Sequence, residues 1–229
     1  MSDFGNAFTF MGDNAHLMLT KIVEHLELSA AAIGVSLVIA LPLGVWLGHI
    51  HRGSFLAINV ANIGRALPSL AVIAIGLALL GIGFINVMVA LVVLAIPPIL
   101  TNSYVAVDGV DAEVVEAARG MGLRSWQVLW KVELPLALPL IFAGIRTAAV
   151  YVIATATLAA IAGGGGLGDI IVNQANYGLP GVLAGAIAVT ALAFAAEGVL
   201  ALIQRLVTPR GLRLKGDARL AERPLGMQV

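Results

Sequence analysis

Long apolar runs separated by short polar breaks dominate the chain. Five of them reach the length of about 18 or more residues that a membrane-spanning helix requires. Their bounds fall at about Ser29–Ile50, Phe55–Leu80, Phe84–Val107, Leu134–Ala162 and Val182–Ile203. Pro42 lies inside the first, Arg65 and Pro68 interrupt the second, and the pair Pro97-Pro98 sits in the third. Proline removes a backbone donor and crowds the carbonyl one turn back. Inside a span it is tolerated where neighbouring helices or water satisfy the freed carbonyls, so several in one small bundle predict broken helices lining a path. The predicted fold is an all-α membrane protein of about five transmembrane helices over residues 29–206. A mixed-polar segment (1–28) precedes it and a polar tail (207–229) follows it.

Composition agrees with that pattern. Of 229 residues, 60% are apolar and 11% charged, with mean hydropathy +0.99. That leaves too little polar surface to cover a water-soluble globule. The formal net charge is zero, so nothing points to nucleic acid as a partner. There is no cysteine, which excludes disulfides, thiolate zinc sites and a thiol nucleophile. Residues 1–28 lack the basic region, short apolar core and cleavage site of a signal peptide, so the first span is expected to act as the insertion signal.

Lys and Arg divide unevenly across the spans. One side holds Arg52, then Arg119, Arg124 and Lys131, then Arg205, Arg210, Arg213, Lys215, Arg219 and Arg223. The other holds Lys21 beside Asp3, Asp13, Glu24, Glu27 and Asp169. Positive charge accumulates on cytoplasmic loops. The expected orientation therefore puts the N-terminus outside and the C-terminus in the cytoplasm.

Between the third and fourth spans, on the basic side, lies a charged island, Glu116–Pro135, reading EAARGMGLRSWQVLWKVELP. Asp111 is placed to cap a helix from Ala112, with Glu113 and Glu116 favourably near its positive end. Val114, Ala118 and Met121 form a narrow apolar stripe at i, i+4 and i+7. Ala117 and Ala118 are small enough for a partner's backbone to come close. Gly120 and Gly122 end the helix and permit a turn of positive φ. A second short helix, Ser125–Val132, then leads to Leu134-Pro135, where proline suits the first turn of span four. Trp126 and Trp130 fit interfacial anchors as well as partner contacts.

The island's spacing is Glu-Ala-Ala at 116–118, three residues, Gly122, nine residues, Val132, one residue, then Leu134-Pro135. It resembles the coupling loop of the membrane subunits of binding-protein-dependent ATP-binding-cassette importers, in which Val132 is usually Ile. The resemblance covers most of residues 30–205. Arg65-Ala-Leu-Pro-Ser-Leu, Ala95-Ile-Pro-Pro-Ile-Leu-Thr-Asn-Ser-Tyr, Ala143-Gly-Ile-Arg-Thr, Thr155-Ala-Thr-Leu-Ala-Ala and Gly163-Gly-Gly-Gly-Leu-Gly-Asp look like the osmoprotectant branch. That branch imports glycine betaine, proline betaine, choline or carnitine. Methionine-importer permeases share the Arg-x-x-Pro and Gly-Gly-Leu-Gly elements and are the nearest competitor. Many relatives carry Gln where Arg65 stands, so this pathway is expected to hold an extra positive charge.

The resemblance implies a type I importer permease with a MetI-like core in a bacterial inner membrane, working by alternating access. Its implied partners are two ATP-binding-cassette ATPase subunits carrying ATP and Mg, a second permease (a paralogue rather than an identical chain) and an extracytoplasmic solute-binding protein. Within the cytoplasmic loop 108–135, the residues implied to couple to the ATPase are Glu116, Ala117, Ala118, Gly122, Leu134 and Pro135. The chain itself is expected to bind no cofactor and to be no enzyme. It has no Gly-x4-Gly-Lys-Ser/Thr, and the Gly163–Gly168 run lacks the lysine a phosphate loop needs.

Arg65, Arg146 and Glu197 are the ionisable residues inside spans, where such groups face a partner or a wet cavity. Candidate pathway residues are Arg65, Pro68 and Ser69, then Arg146, Thr155 and Thr157, then Gly165, Asn173, Gln174 and Tyr177. The region 163–180 reads either as an outer gate or as a plain extracytoplasmic loop. Quaternary ammonium groups favour aromatic cages, and no aromatic cluster falls inside the spans, so tight recognition is expected in the binding protein. Two other classes fit less well. An ion-coupled transporter needs more intramembrane carboxylates or a duplicated bundle. An intramembrane enzyme needs a nucleophile paired with a base, and His16, His25, His49 and His51 all lie near or before the end of span one.

Overall fold

A computed structural model describes residues 2–208; the tail from 209, with Arg210, Arg213, Lys215, Arg219 and Arg223, lies outside the described residues. The helices are α1 (Ser2–Asp13), α2 (Ala15–His49), α3 (Ser54–Ala66), α4 (Ser69–Leu80), α5 (Phe84–Asp108), α6 (Ala112–Gly120), α7 (Ser125–Val128), α8 (Leu134–Thr155), α9 (Gly168–Val172) and α10 (Gln174–Val207). A π-helical turn, Leu129–Glu133, joins α7 to α8, and a 3-10 segment, Ala156–Ala162, extends α8. The stretches α2, α5, Ser125–Ala162 and α10 are each long and apolar enough to cross a membrane, and the bent pair α3–α4 makes a fifth if its two halves form one broken span.

Each proline leaves its mark differently. Leu67 is extended, as the residue before a proline tends to be, and Pro68 opens α4. The two halves of the second span meet there at 91°. Pro97 and Pro98 instead lie within an unbroken α5. The ring of Pro97 fits because its neighbour on α3 is Gly64, where a Cβ would fall 2.2 Å from Pro97 Cγ. Before Pro135 the helix widens: Leu134 N–H donates to Leu129 O, a π-type bond. A standard turn there would press the Pro135 ring against the Lys131 carbonyl, and the extra residue in the turn relieves it. The expected pause before span four is therefore a continuous helix.

The first and last spans begin earlier than their apolar runs. α2 already starts at Ala15, and α10 starts at Gln174 with a kink at Gly178 (φ 64°) ahead of Pro180. Residues 2–13 form α1, whose Phe10 meets Tyr177 of α10 edge-on with ring centres 6.2 Å apart. α5 is the central helix, buried along most of its length against α2, α3, α4 and α8. Gly44 and Gly48 allow α2 to lie directly on α5. A Cβ on either would stand 2.7 Å from Leu100 O or 2.8 Å from Tyr104 O, the small-xxx-small contact of membrane helices.

Candidate functional site

At the basic end, Asp111 Oδ1 accepts from Glu113 N–H at 2.9 Å and starts α6 as expected. α6 turns Val115 and Ala118 inward onto Val128, with Val110, Leu123 and Val132 around them. Glu116, Ala117, Val114 and Met121 point outward, Met121 being 75% exposed. The expected stripe is thus divided: Ala118 packs within the chain, while Val114 and Met121 face out with Ala117. The short helix meets its own neighbour through an i, i+3 pair instead, one register over. Gly122 has φ +86° and open space where a Cβ would be. The adjacent bonds, Gly122 N–H to Arg119 O and Leu123 N–H to Ala118 O, close the helix end. Trp126 and Trp130 stand exposed, edge to face at 5.2 Å. Leu134 and Pro135 begin α8.

Behind this surface lies a contact that residue patterns did not reveal. His49, at the end of α2, places Nδ1 2.5 Å from Glu133 Oε2 and Nε2 2.7 Å from Ser125 Oγ. Glu133 is completely buried. Two residues on, His51 Nδ1 stands 3.0 Å from Asp108 Oδ1 at the end of α5. The turn after span one is thereby fastened both to the island and to span three. A histidine at a helix C-terminus is the local signal that was available.

Within the spans, Arg146 of α8 donates from Nε to Glu197 Oε1 of α10 at 2.9 Å, and its Nη2 contacts the same oxygen. Nη1 donates to Gln204 Oε1 at 2.8 Å, and Gln204 Nε2 donates in turn to Pro139 O at 3.0 Å. The pair lines a groove of about 810 Å³ with Thr147, Tyr151, Thr190 and Phe194. Thr147 and Tyr151 also line a second groove of about 420 Å³, with Gly64, Pro97, Pro98 and Asn102 on its other side. Both grooves therefore open on one face of α8.

The remaining candidates are spread out. Thr155 is buried, and the Thr157 hydroxyl bonds back to Ala154 O. Pro68 and Ser69 mark the bend of the second span. Arg65 lies next to Gly64 in α3, and its side chain lies outside the described part of the structure. The glycine run is fastened to α2: Gly166 N–H donates to Glu24 Oε2 at 2.9 Å. Lys21 Nζ bridges Glu24 Oε2 at 2.8 Å and Asp169 Oδ2 at 2.7 Å. Gly163, Gly165 and Gly166 all have positive φ, and a Cβ at Gly165 would stand 2.8 Å from Glu24 Oε2. Asn173 O accepts from the Asn176 and Tyr177 amides, starting α10 beside exposed Gln174.

Residues 40–210 match the family described as binding-protein-dependent transport system inner membrane component. The chain belongs to this family. Members similar to it include a glycine betaine/carnitine/choline transport system permease protein of Bacillus subtilis (strain 168), 42% identical over 206 residues, covering 90% of this chain and 95% of that one. A carnitine transport permease protein of Listeria monocytogenes is 40% identical, covering 90% and 94%. A choline transport system permease protein of Bacillus subtilis (strain 168) is 41% identical, covering 90% and 96%. Among solved structures, an inward-facing MetNI methionine ABC transporter chain superimposes with a TM-score of 0.73 at 24% identity, over 85% of this chain and 98% of that one. The MetI-like all-helical fold of this multi-pass membrane permease family is therefore shown.

Proposed function

We propose that the chain is the transmembrane permease subunit of an ATP-driven importer of osmoprotectants of the glycine betaine, carnitine and choline type. It works by alternating access in a bacterial inner membrane. What carries this reading is its similarity, over nine-tenths of the chain, to permeases named for those solutes. Two separate ATPase subunits bind ATP and Mg and press on the outward face of α6, where Glu116, Ala117, Val114 and Met121 are presented. Gly122 shapes that face, and Leu134-Pro135 carries its motion into span four. A second permease, a paralogue, completes the pathway, and an extracytoplasmic binding protein delivers solute on the side of the Gly163–Gly168 run. The fastening of that run to α2 supports reading residues 163–180 as a gate.

The test is reconstitution with these partners in vesicles holding internal ATP, with ion gradients collapsed. Uptake and ATP hydrolysis stimulated by betaines or choline are expected. Stimulation by methionine with betaines and choline inert would overturn the substrate class. Transport that stops when the ion gradient collapses, despite ATP, would overturn the ATP-driven reading.

A further inference from the structure

The Arg146–Glu197 pair is the one ion pair among the described residues that joins two spans at depth, since Lys21, His49 and His51 pair near the helix ends. Charged groups do not face lipid without heavy cost, and about a third of each of these two side chains remains accessible. The groove they border, about 810 Å³, falls within the range of roughly 300–1,000 Å³ typical of small-molecule sites. Its walls are chemically divided: a guanidinium, a carboxylate, and the aromatic rings of Tyr151 and Phe194.

Resting on the importer reading above, we propose that this groove is a transit site for zwitterionic solutes. The solute carboxylate is taken by Arg146, and its quaternary ammonium by Glu197 together with the ring faces of Tyr151 and Phe194. The arrangement suits insertion rather than addition. Breaking a partly buried pair and leaving either charge alone is costly. A zwitterion that enters between the two replaces one ion pair by two, so no charge is abandoned. Both Arg146 contacts to Glu197 fall on Oε1, and Oε2 takes no hydrogen bond among the described residues. Gln204, itself held by Pro139 O, keeps a second grip on Arg146 while Glu197 changes partner. Tyrosine offers its π face to a cation, and Tyr151 borders both grooves, so it can hand an ammonium from one to the other. Because the pair re-forms behind the solute, the site binds weakly and releases readily, as a step in transport requires.

The arrangement predicts a difference between solutes. Glycine betaine carries both charges, whereas choline has only the ammonium and no use for Arg146. In the reconstituted importer at saturating binding protein, Arg146→Gln is expected to depress glycine betaine uptake about tenfold more than choline uptake, the scale of one charge-assisted hydrogen bond. Glu197→Gln and Tyr151→Leu should lower both solutes together, with Tyr151→Phe largely retaining both. Equal losses of the two solutes in Arg146→Gln would make the pair a purely structural tie and overturn the proposal. Should Arg146→Gln fail to assemble, a milder variant decides. The chain has no cysteine of its own, so Thr190→Cys places a single thiol in the groove. Its modification by a maleimide should be slowed by glycine betaine and not by equimolar sodium chloride, and absence of protection would sink the site. A wild-type assembly that transports neither solute would instead overturn the importer reading, and this site with it.

Discussion

Glu133 stands completely buried with His49 on one oxygen, while its Oε1 has no hydrogen-bond partner among the described residues. Removing one partner of a buried hydrogen bond leaves the other unsatisfied and costs about 1–3 kcal/mol, whereas replacing both by apolar groups of similar shape is often nearly neutral. His49→Ala is therefore expected to lower the thermal midpoint of the purified subunit strongly, and His49→Leu with Glu133→Leu to recover most of the loss. If the double variant is as unstable as the single, the pair is not the source of the cost. Gly122 poses the opposite case, since beyond its chain neighbours no atom of the described residues lies within 4 Å of where its Cβ would be, and its φ of +86° is what objects to a side chain. Gly122→Val should strain the turn by about 1–2 kcal/mol and loosen the link between ATP hydrolysis and uptake while the subunit still inserts. Gly122→Asn, which tolerates this conformation, should keep them coupled. Equal coupling in both variants would show that the turn is not needed. The Asp111 cap and the Gly122 turn were legible in the sequence because each is decided within a few residues. The Arg146–Glu197 and His49–Glu133 contacts were not, because they join positions 51 and 84 residues apart and several partners of the right charge existed for each.

Among the elements, the break at Pro68 and the extent of α5 could be read directly, since proline stereochemistry and an uninterrupted apolar run are local. The start of α2 could not. Lys21, Glu24 and His25 look like an exposed segment before a span, yet they extend the helix to Ala15 because each has a partner elsewhere. Lys21 and Glu24 hold the glycine run, and His25 Nε2 meets Ile153 O at 2.9 Å. The seam between α2 and α5 gives a direct test of how closely these helices are required to pack. A side chain at Gly48 would press on Tyr104 O and Val107 Cβ, both 2.8 Å from its Cβ. Overpacking of this kind costs about 1–3 kcal/mol, so Gly48→Val should lower the thermal midpoint and the yield of folded protein. Gly34 lies on the same helix, and outside its own helical turn no atom of the described residues would stand within 4 Å of a Cβ there. Gly34→Ala there should gain the helix propensity of alanine, about 1 kcal/mol at most. Equal behaviour of the two variants would mean that α2 does not bear on α5 at Gly48.

At the scale of the whole molecule, the side-to-side asymmetry is the property most open to direct measurement. Arg52, Arg119, Arg124 and Lys131 gather with the His49 and His51 contacts at one end, and Lys21, Glu24 and Asp169 gather with the glycine run at the other. Five crossings, if the bent pair is one span, would send the two termini to opposite sides. The excess of Lys and Arg supports our proposal that α6 lies in the cytoplasm and the start of α10 outside. An ATPase can reach α6 only in that orientation, and a binding protein can reach the glycine run only in that orientation, so the proposed function depends on it. Because the chain has no cysteine, single thiols report position without a background to remove. In intact spheroplasts, a membrane-impermeant maleimide is expected to label Gln174→Cys and to leave Met121→Cys untouched until the membrane is opened. Both positions are exposed in the isolated chain, so accessibility within the fold does not confuse the outcome. The reverse pattern would invert the topology and remove the ATPase contact from α6. Labelling of both sites in sealed cells would mean that the one apolar stretch between them, Ser125–Ala162, does not cross the membrane, and would overturn the proposed topology.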